Sequence, residues 1–423
     1  MGIRINKINT IGLKRLCEIL VCLFYTWYFL PVCKVLLWDG PFKILFFGCF
    51  VVGCVGLLCF NGIRLHTVVG IVLLYYLVFL TFWLLKVGDA SAHIRISFTF
   101  WGTALLYFGL LDDAGRIRIG KYLLLIFCLT AITSALGVLA DNAAARTIAH
   151  AAADEELQAS YQIKNIAGIY LFQSLVCFVP VLIFLPETKK QRWLSIFLML
   201  VVLVVLINAS FTISLLVFAV AIVLSVANKI SKANRLILTG AVIVSLVVFW
   251  TGIGDLLLWV SNQLDNATIA SRLSDLAAIF SSGVLEGDAG VRGDLYKASF
   301  NTFLRHPFGV GVHYSYRVFE NGIGYHSQFL DDLARYGILA LSFYGIFFVG
   351  YFKHLKCAWG KIGQSQIAPV IIMIYGLFLV LNLGFRSAEE SIVMLFIMPM
   401  LPLLIEEQQK KKQQTVSTER RSA

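Results

Sequence analysis

The chain has 423 residues, of which 59% are hydrophobic and only 14% charged, with a formal net charge of +11. Soluble globular domains carry about a quarter charged residues, so a soluble enzyme or binding module is excluded. The basic excess does not point to nucleic acid either, because Lys and Arg gather in short polar links between apolar segments, as membrane topology requires.

In chain order, twelve apolar segments are predicted to be transmembrane helices: 15–37, 41–60, 67–85, 96–111, 120–140, 166–186, 192–207, 209–228, 235–253, 327–352, 367–383 and 389–405. About 20 apolar residues cross the roughly 30 Å hydrocarbon core of a bilayer. The segments lack period-two alternation, so they read as helices rather than barrel strands. The expected fold is all-α: a polytopic helical membrane protein forming a single integral membrane domain over residues 1–423. The first segment is too long for a signal-peptide core, contains Glu18 and Lys34, and shows no small-residue cleavage site. It is expected to be a retained span.

Lys and Arg favour one alternate set of links: 1–15, 61–66, 112–121, 187–192, 229–235, 351–365 and the tail 406–423, which holds Lys410, Lys411, Lys412, Arg420 and Arg421. That bias predicts both termini in the cytoplasm and the long 254–325 loop outside, between spans nine and ten. The tail reads as a topology anchor beside anionic lipid. All nine cysteines fall in spans or on the cytoplasmic side, without a Cys-x-x-Cys pair, and read as small packing residues.

Two links on the outer side are long. The 141–165 link is alanine-rich, carries Asp154, Glu155 and Glu156, and is predicted to form a surface helix. The 254–325 loop opens with an amphipathic stretch, Asp255 to Val260, suited to the membrane interface. A helical pattern over 271–285 follows, then a glycine-rich turn at Gly287, Gly290 and Gly293, then a helix from about Val291 to Leu304. This helix has to stop before Pro307, which excludes helix from its predecessor. Gly309, Gly311, Gly322 and Gly324 punctuate the remainder.

The candidate chemistry lies in and beside this loop. His326 starts the tenth span, where a neutral imidazole accepts a proton or simply bonds a loop carbonyl. Arg292 has Tyr296 and Phe300 at helical spacing after it, and either binds lipid phosphate or clamps a diphosphate in bidentate fashion. Asp331, Asp332 and Arg335 stand in the second and third turns of the tenth span; Asp331 and Arg335, four apart, are expected to pair. Arg386, Glu389 and Glu390 form a similar cluster, in which Arg386 pairs with Glu390 or meets an anion. His306 and His313 have no carboxylate or cysteine at metal-ligand spacing, so no metal is expected. Nor is there a Walker sequence or dinucleotide fingerprint, so no cofactor is expected and any donor arrives preactivated on lipid. Without internal repeats or paired broken helices, a secondary transporter has little support.

Arg292-Gly-Asp-Leu-Tyr296, then His306-Pro-Phe-Gly309-Val-Gly311, then His326-Ser327 with Gly337 after nine further residues, resembles the O-antigen ligase and polymerase superfamily. The motif match covers about 50 residues, and the span layout with a long loop after the ninth is similar as well. The resemblance implies a GT-C-like membrane fold and a metal-independent glycosyltransferase of the bacterial plasma membrane. Its expected donor is undecaprenyl diphosphate-linked oligosaccharide, for O-antigen, capsule or exopolysaccharide synthesis. By that analogy His326 is the base toward an acceptor hydroxyl and Arg292 binds the diphosphate, with Tyr296, Asp331 and Arg335 in support. The family often has a second arginine in a Ser-Arg setting, where this chain has Ser210-Phe211; Arg305 or Arg386 is the expected substitute, or the contact is absent. Repeat-unit polymerase is the first expectation. A ligase acting on lipid A-core or another acceptor, and a lipid-linked oligosaccharide flippase, are the alternatives. Implied partners are membrane lipids and a flippase and chain-length regulator of the same pathway.

Overall fold

A computed structural model of the chain describes residues 7–37, 39–84, 98–149, 154–209, 211–229, 250–263, 270–271, 273–274, 277–278, 287–311, 322–382 and 387–422. Among them all regular structure is helical, as lipid demands of an open chain whose amides and carbonyls find no water. The helices are α1 (Lys7–Phe29), α2 (Pro31–Leu36), α3 (Gly40–Asn61), α4 (Thr67–Leu84), α5 (Phe98–Leu110) and α6 (Asp113–Ala140). There follow α7 (Ala144–Ala149), α8 (Glu155–Ile163), α9 (Ile169–Val176), α10 (Val179–Phe184), α11 (Lys189–Asn208) and α12 (Thr212–Lys229). Last come α13 (Trp250–Asn262), α14 (Gly287–Arg305), α15 (Gln328–Tyr336), α16 (Ile338–Gly360), α17 (Ile367–Leu381) and α18, which runs Ala388–Ile392, through a π turn Val393–Ile397, into Met398–Ser422.

Six of these, α3, α6, α11, α12, α16 and the first part of α18, are long and apolar enough to cross a membrane. Shorter apolar helices lie at Thr67–Val78, Phe98–Leu110, Ile169–Phe184 and Ile367–Leu381. Three expected spans are interrupted. The segment 15–37 breaks after Phe29, because Pro31 has no amide to continue α1 and instead opens α2. The segment 166–186 is divided between α9 and α10, with Pro180 in the first turn of α10. The segment 327–352 is divided at Gly337, so the acidic and basic residues 331, 332 and 335 belong to a separate short helix. Of the segment 235–253 only its last four residues lie within the described residues, and they begin α13.

Charged residues that read as a link at 112–121 are in fact helical. Asp112 caps α6, its Oδ1 accepting from the Gly115 amide at 2.8 Å. Arg116 then donates to the Tyr107 carbonyl at 2.9 Å, and Arg118 grips Glu18 through two hydrogen bonds of 2.6 and 2.7 Å. The glycine-rich turn expected at 287–293 is likewise inside α14. Packing of that helix against 322–331 outweighs the weak helical propensity of Gly290 and Gly293.

The core holds Trp27, Tyr107, Phe172, Phe347, Tyr351 and Trp359, all fully buried. At its centre runs the start of α18, where every residue from Ile392 to Met398 has no exposed surface; it meets α1, α6, α9 and α16. The outward faces of α3, α6 and α11 bear exposed leucines, isoleucines and valines, such as Ile44, Leu125 and Leu194. An apolar periphery of this kind suits lipid rather than water.

Candidate active site

The spacing between Ser327 and Gly337 is the length of one short helix. At its start the Ser327 hydroxyl accepts from the Leu330 amide at 3.2 Å, and the Ser327 carbonyl accepts from Asp331 N at 2.8 Å. At its end Gly337 turns the chain with φ +59°, its amide donating to the Leu333 carbonyl at 2.8 Å. The 306–311 loop docks against that end. Ile338 N donates to Pro307 O at 2.9 Å, Val310 N to Ala334 O at 3.0 Å, and Gly311 N to Arg335 O at 3.0 Å. A Cβ on Gly309 would stand 2.1 Å from Arg335 O, so the backbones approach too closely for any side chain there.

His326 precedes this helix and is exposed. Its Nδ1 lies 3.0 Å from the Gly324 carbonyl. A carbonyl only accepts, so Nδ1 carries the proton in this bond, which is the carbonyl-bonded histidine foreseen from the sequence. Tyr325, the residue before it, has φ +58°, a strained conformation for an aromatic residue. It is held there from both sides: its amide donates to Asp331 Oδ1 at 3.1 Å and its ring lies 5.1 Å from the Arg335 guanidinium carbon.

Helix α14 carries the other half of the site. Ser299 donates to Asp331 Oδ1 at 2.7 Å and accepts from Gly324 N at 2.8 Å, while Thr302 donates to Gly322 O at 2.7 Å. The 322–325 segment therefore lies along the face of α14 that bears Leu295, Ser299 and Thr302. Arg292 is seven residues before Ser299 and so shares that face, two turns further on. Its Nη1 is buried and has no hydrogen-bond partner among the described residues. Tyr296, one turn on, donates its hydroxyl to Leu381 O at 2.8 Å. Burial pushes the Tyr296 phenol above its usual range, against the opposing pull of Arg292 beside it.

Not all the expected residues converge. Arg305 is exposed at the far end of α14, thirteen residues from Arg292 and hence about 20 Å away along the axis. Arg386 and His313 lie outside the described residues. In place of the expected Asp331–Arg335 pair, Arg335 pairs with Asp332 at 3.3 Å, while Asp331 Oδ1 is taken by Ser299 and the Tyr325 amide. Phe211, at the position of the family's second arginine, is buried. Among the described residues no group of three His, Cys, Asp or Glu side chains converges at metal-ligand distance.

Sequence reasoning missed a buried polar chain that runs behind α15. Asp332 Oδ2 accepts from the Tyr344 hydroxyl at 2.6 Å, which in turn accepts from Gln328 Nε2 at 3.2 Å. Gln328 N donates to Asn382 O at 3.0 Å, and Asn382 Nδ2 donates to Gln173 Oε1 at 2.9 Å. Gln173 Nε2 then donates to Glu390 Oε1, while Ser387 Oγ sits 3.2 Å from Glu390 Oε2. Glu389, next to it, is 3.8 Å from Lys34. The signal that marks this chain in the sequence is Gln173, an amide in the middle of an apolar segment, where a polar group needs a partner.

Neither a protein-family model nor a curated protein sequence matches the chain. The segments 292–296, 306–311 and 326–337 belong to one packed unit of α14, the loop after it and α15.

Proposed function

We propose that the chain is a membrane glycosyltransferase that polymerises lipid-linked oligosaccharide repeat units at the outer face of a bacterial plasma membrane. The observation that supports this best is His326, exposed and with its Nδ1–H committed to the Gly324 carbonyl, so that Nε2 is the ring nitrogen left to take a proton. The 322–325 segment just before it lies on the same face of α14 as Arg292.

The chemistry follows from those two groups. The acceptor hydroxyl oxygen attacks the anomeric carbon of a glycan held on undecaprenyl diphosphate, and the hydroxyl proton passes to Nε2 of His326. The bond from the anomeric carbon to the diphosphate oxygen breaks, and its electron pair leaves with undecaprenyl diphosphate. Arg292, planar and always charged, meets that leaving group. Direct attack of this kind inverts the anomeric centre. A sugar diphosphate already has a good leaving group, so the protein's share is positioning, cationic stabilisation and one base. Transfer to a different acceptor, as in a ligase, uses the same step.

The test is purified wild type and His326→Ala in nanodiscs, given an undecaprenyl diphosphate-linked repeat unit with EDTA present, and the products sized by gel. A ladder from wild type alone supports the polymerase. A single added glycan on a supplied acceptor, without a ladder, replaces polymerase by ligase. An equal ladder from His326→Ala removes the base assignment.

A further inference from the structure

Leu381 and Asn382 close the end of α17, and their two carbonyls are taken by two different elements. The Leu381 carbonyl accepts from Tyr296 of α14 at 2.8 Å, and the Asn382 carbonyl accepts from the amide of Gln328, the first residue of α15, at 3.0 Å. Adjacent Cα atoms are about 3.8 Å apart. The helix bearing Arg292 and the helix that follows His326 are therefore fastened to neighbouring peptide units. Whatever fixes this corner fixes the spacing of the two elements.

One side chain ties the corner to a third element. Asn382 leaves the helix in extended conformation, φ −154° and ψ −173°, its amide closing the last helical hydrogen bond onto the Phe378 carbonyl at 2.9 Å. Its side-chain amide donates to Gln173 Oε1 at 2.9 Å, and Gln173 is itself without exposed surface on α9. Gln173 turns its Nε2 toward Glu390 Oε1 and its Oε1 toward Asn382. Both ends of the Gln173 amide are engaged, and an apolar residue there leaves Asn382 Nδ2 and Glu390 Oε1 to find other partners in the buried interior.

We propose that Gln173 and Asn382 are positioning residues, which hold the Arg292-bearing and His326-bearing elements at fixed spacing through the 381–382 corner. The catalytic part of this rests on the reading of His326 and Arg292 above; the mechanical part does not. The experiment therefore reads both. Amide hydrogen exchange by mass spectrometry on the full-length protein in nanodiscs compares wild type, Gln173→Leu, Gln173→Asn and the double exchange Q173E/E390Q. In Q173L, residues 292–300 and 327–336 are expected to exchange about tenfold faster, the factor for loss of one buried hydrogen bond, with α11 unchanged. On lipid-linked repeat units its kcat is expected to fall about 100-fold, the scale of an ångström-sized misplacement, with KM little altered. Q173E/E390Q, which swaps acid and amide but keeps every donor and acceptor, is expected to restore both readouts.

Unchanged exchange in the two segments, or acceleration spread evenly over the molecule, overturns the proposal. Accelerated local exchange in a protein whose wild type joins no glycan upholds the positioning and sinks the glycosyl-transfer reading instead. Should Q173L not fold, Q173N decides, since it keeps an amide but is one methylene too short to reach both neighbours.

Discussion

The backbone of Gly337 lies against that of Gly309, so close that a Cβ on Gly337 would stand 2.7 Å from the Gly309 nitrogen and 2.0 Å from the Pro307 carbonyl oxygen. Both glycines have positive φ, +59° and +87°. The glycine that ends the His326 helix and the glycine in the loop after α14 thus form one contact, and neither tolerates a side chain.

Gly337→Ala and Gly309→Ala are each expected to cost at least about 2 kcal/mol, from the left-handed backbone and the carbonyl contact together. Thermal unfolding in detergent measures this. Gly345→Ala is the control: a Cβ there meets nothing within 4 Å, and alanine in a helix is expected to be neutral or slightly stabilising. Equal melting temperatures for all three would refute the interlock.

His326→Gln keeps a donor for the Gly324 carbonyl but has no basic nitrogen. Its fold and melting temperature are expected to match wild type, while glycan joining falls about 100- to 10,000-fold, the usual worth of a positioned base. Activity near that of wild type would mean that the acceptor proton goes elsewhere.

Arg292→Lys preserves charge and loses the planar fork, so donor binding and turnover are both expected to suffer, nearly as much as in Arg292→Ala. Arg305→Ala, about 20 Å away along the helix, is expected to leave both unchanged. Kinetics with varied donor concentration separate the cases, and a large effect at Arg305 alone would reassign the diphosphate to the far end of α14.

Asp112 pairs with Lys14 at 2.5 Å and caps α6. Burial alone would raise its pKa, but the Lys14 and Gly115 hydrogen bonds prevail and hold the carboxyl below the usual range. A folded pKa below the unfolded one gives stability that is present above the unfolded value of about 4 and lost as pH falls through the folded value. Melting temperature is therefore expected to drop on acidification below about pH 4, with a smaller drop in Asp112→Asn. An identical pH profile in the variant would show that other carboxylates dominate.

Apolar runs were enough to read the helical membrane class and, within a residue or two, the limits of α3, α4 and α17, since an uninterrupted apolar segment between polar links has one stable form in lipid. Gly337 and Pro31 were visible too, yet their effect was misjudged: both divide segments whose hydropathy runs straight through them. The motif residues Arg292, Ser327 and Gly337 were found by pattern. The physical meaning of their spacing, one capped helix docked on a glycine loop, needed the three-dimensional arrangement.

What the sequence determined by itself is therefore whatever depends on one segment and its solvent: helix against strand, lipid against water, the stop of α14 before Pro307. Tertiary structure alone decided the pairings. Charge spacing favoured Asp331 with Arg335, but three-residue and four-residue neighbours are equally close on a helix, and Ser299 from α14 tipped the choice to Asp332. Gln173 and Glu390 are 217 positions apart, and no local rule joins them. They meet because burial leaves an amide and an acid in need of partners, and packing places each as the other's.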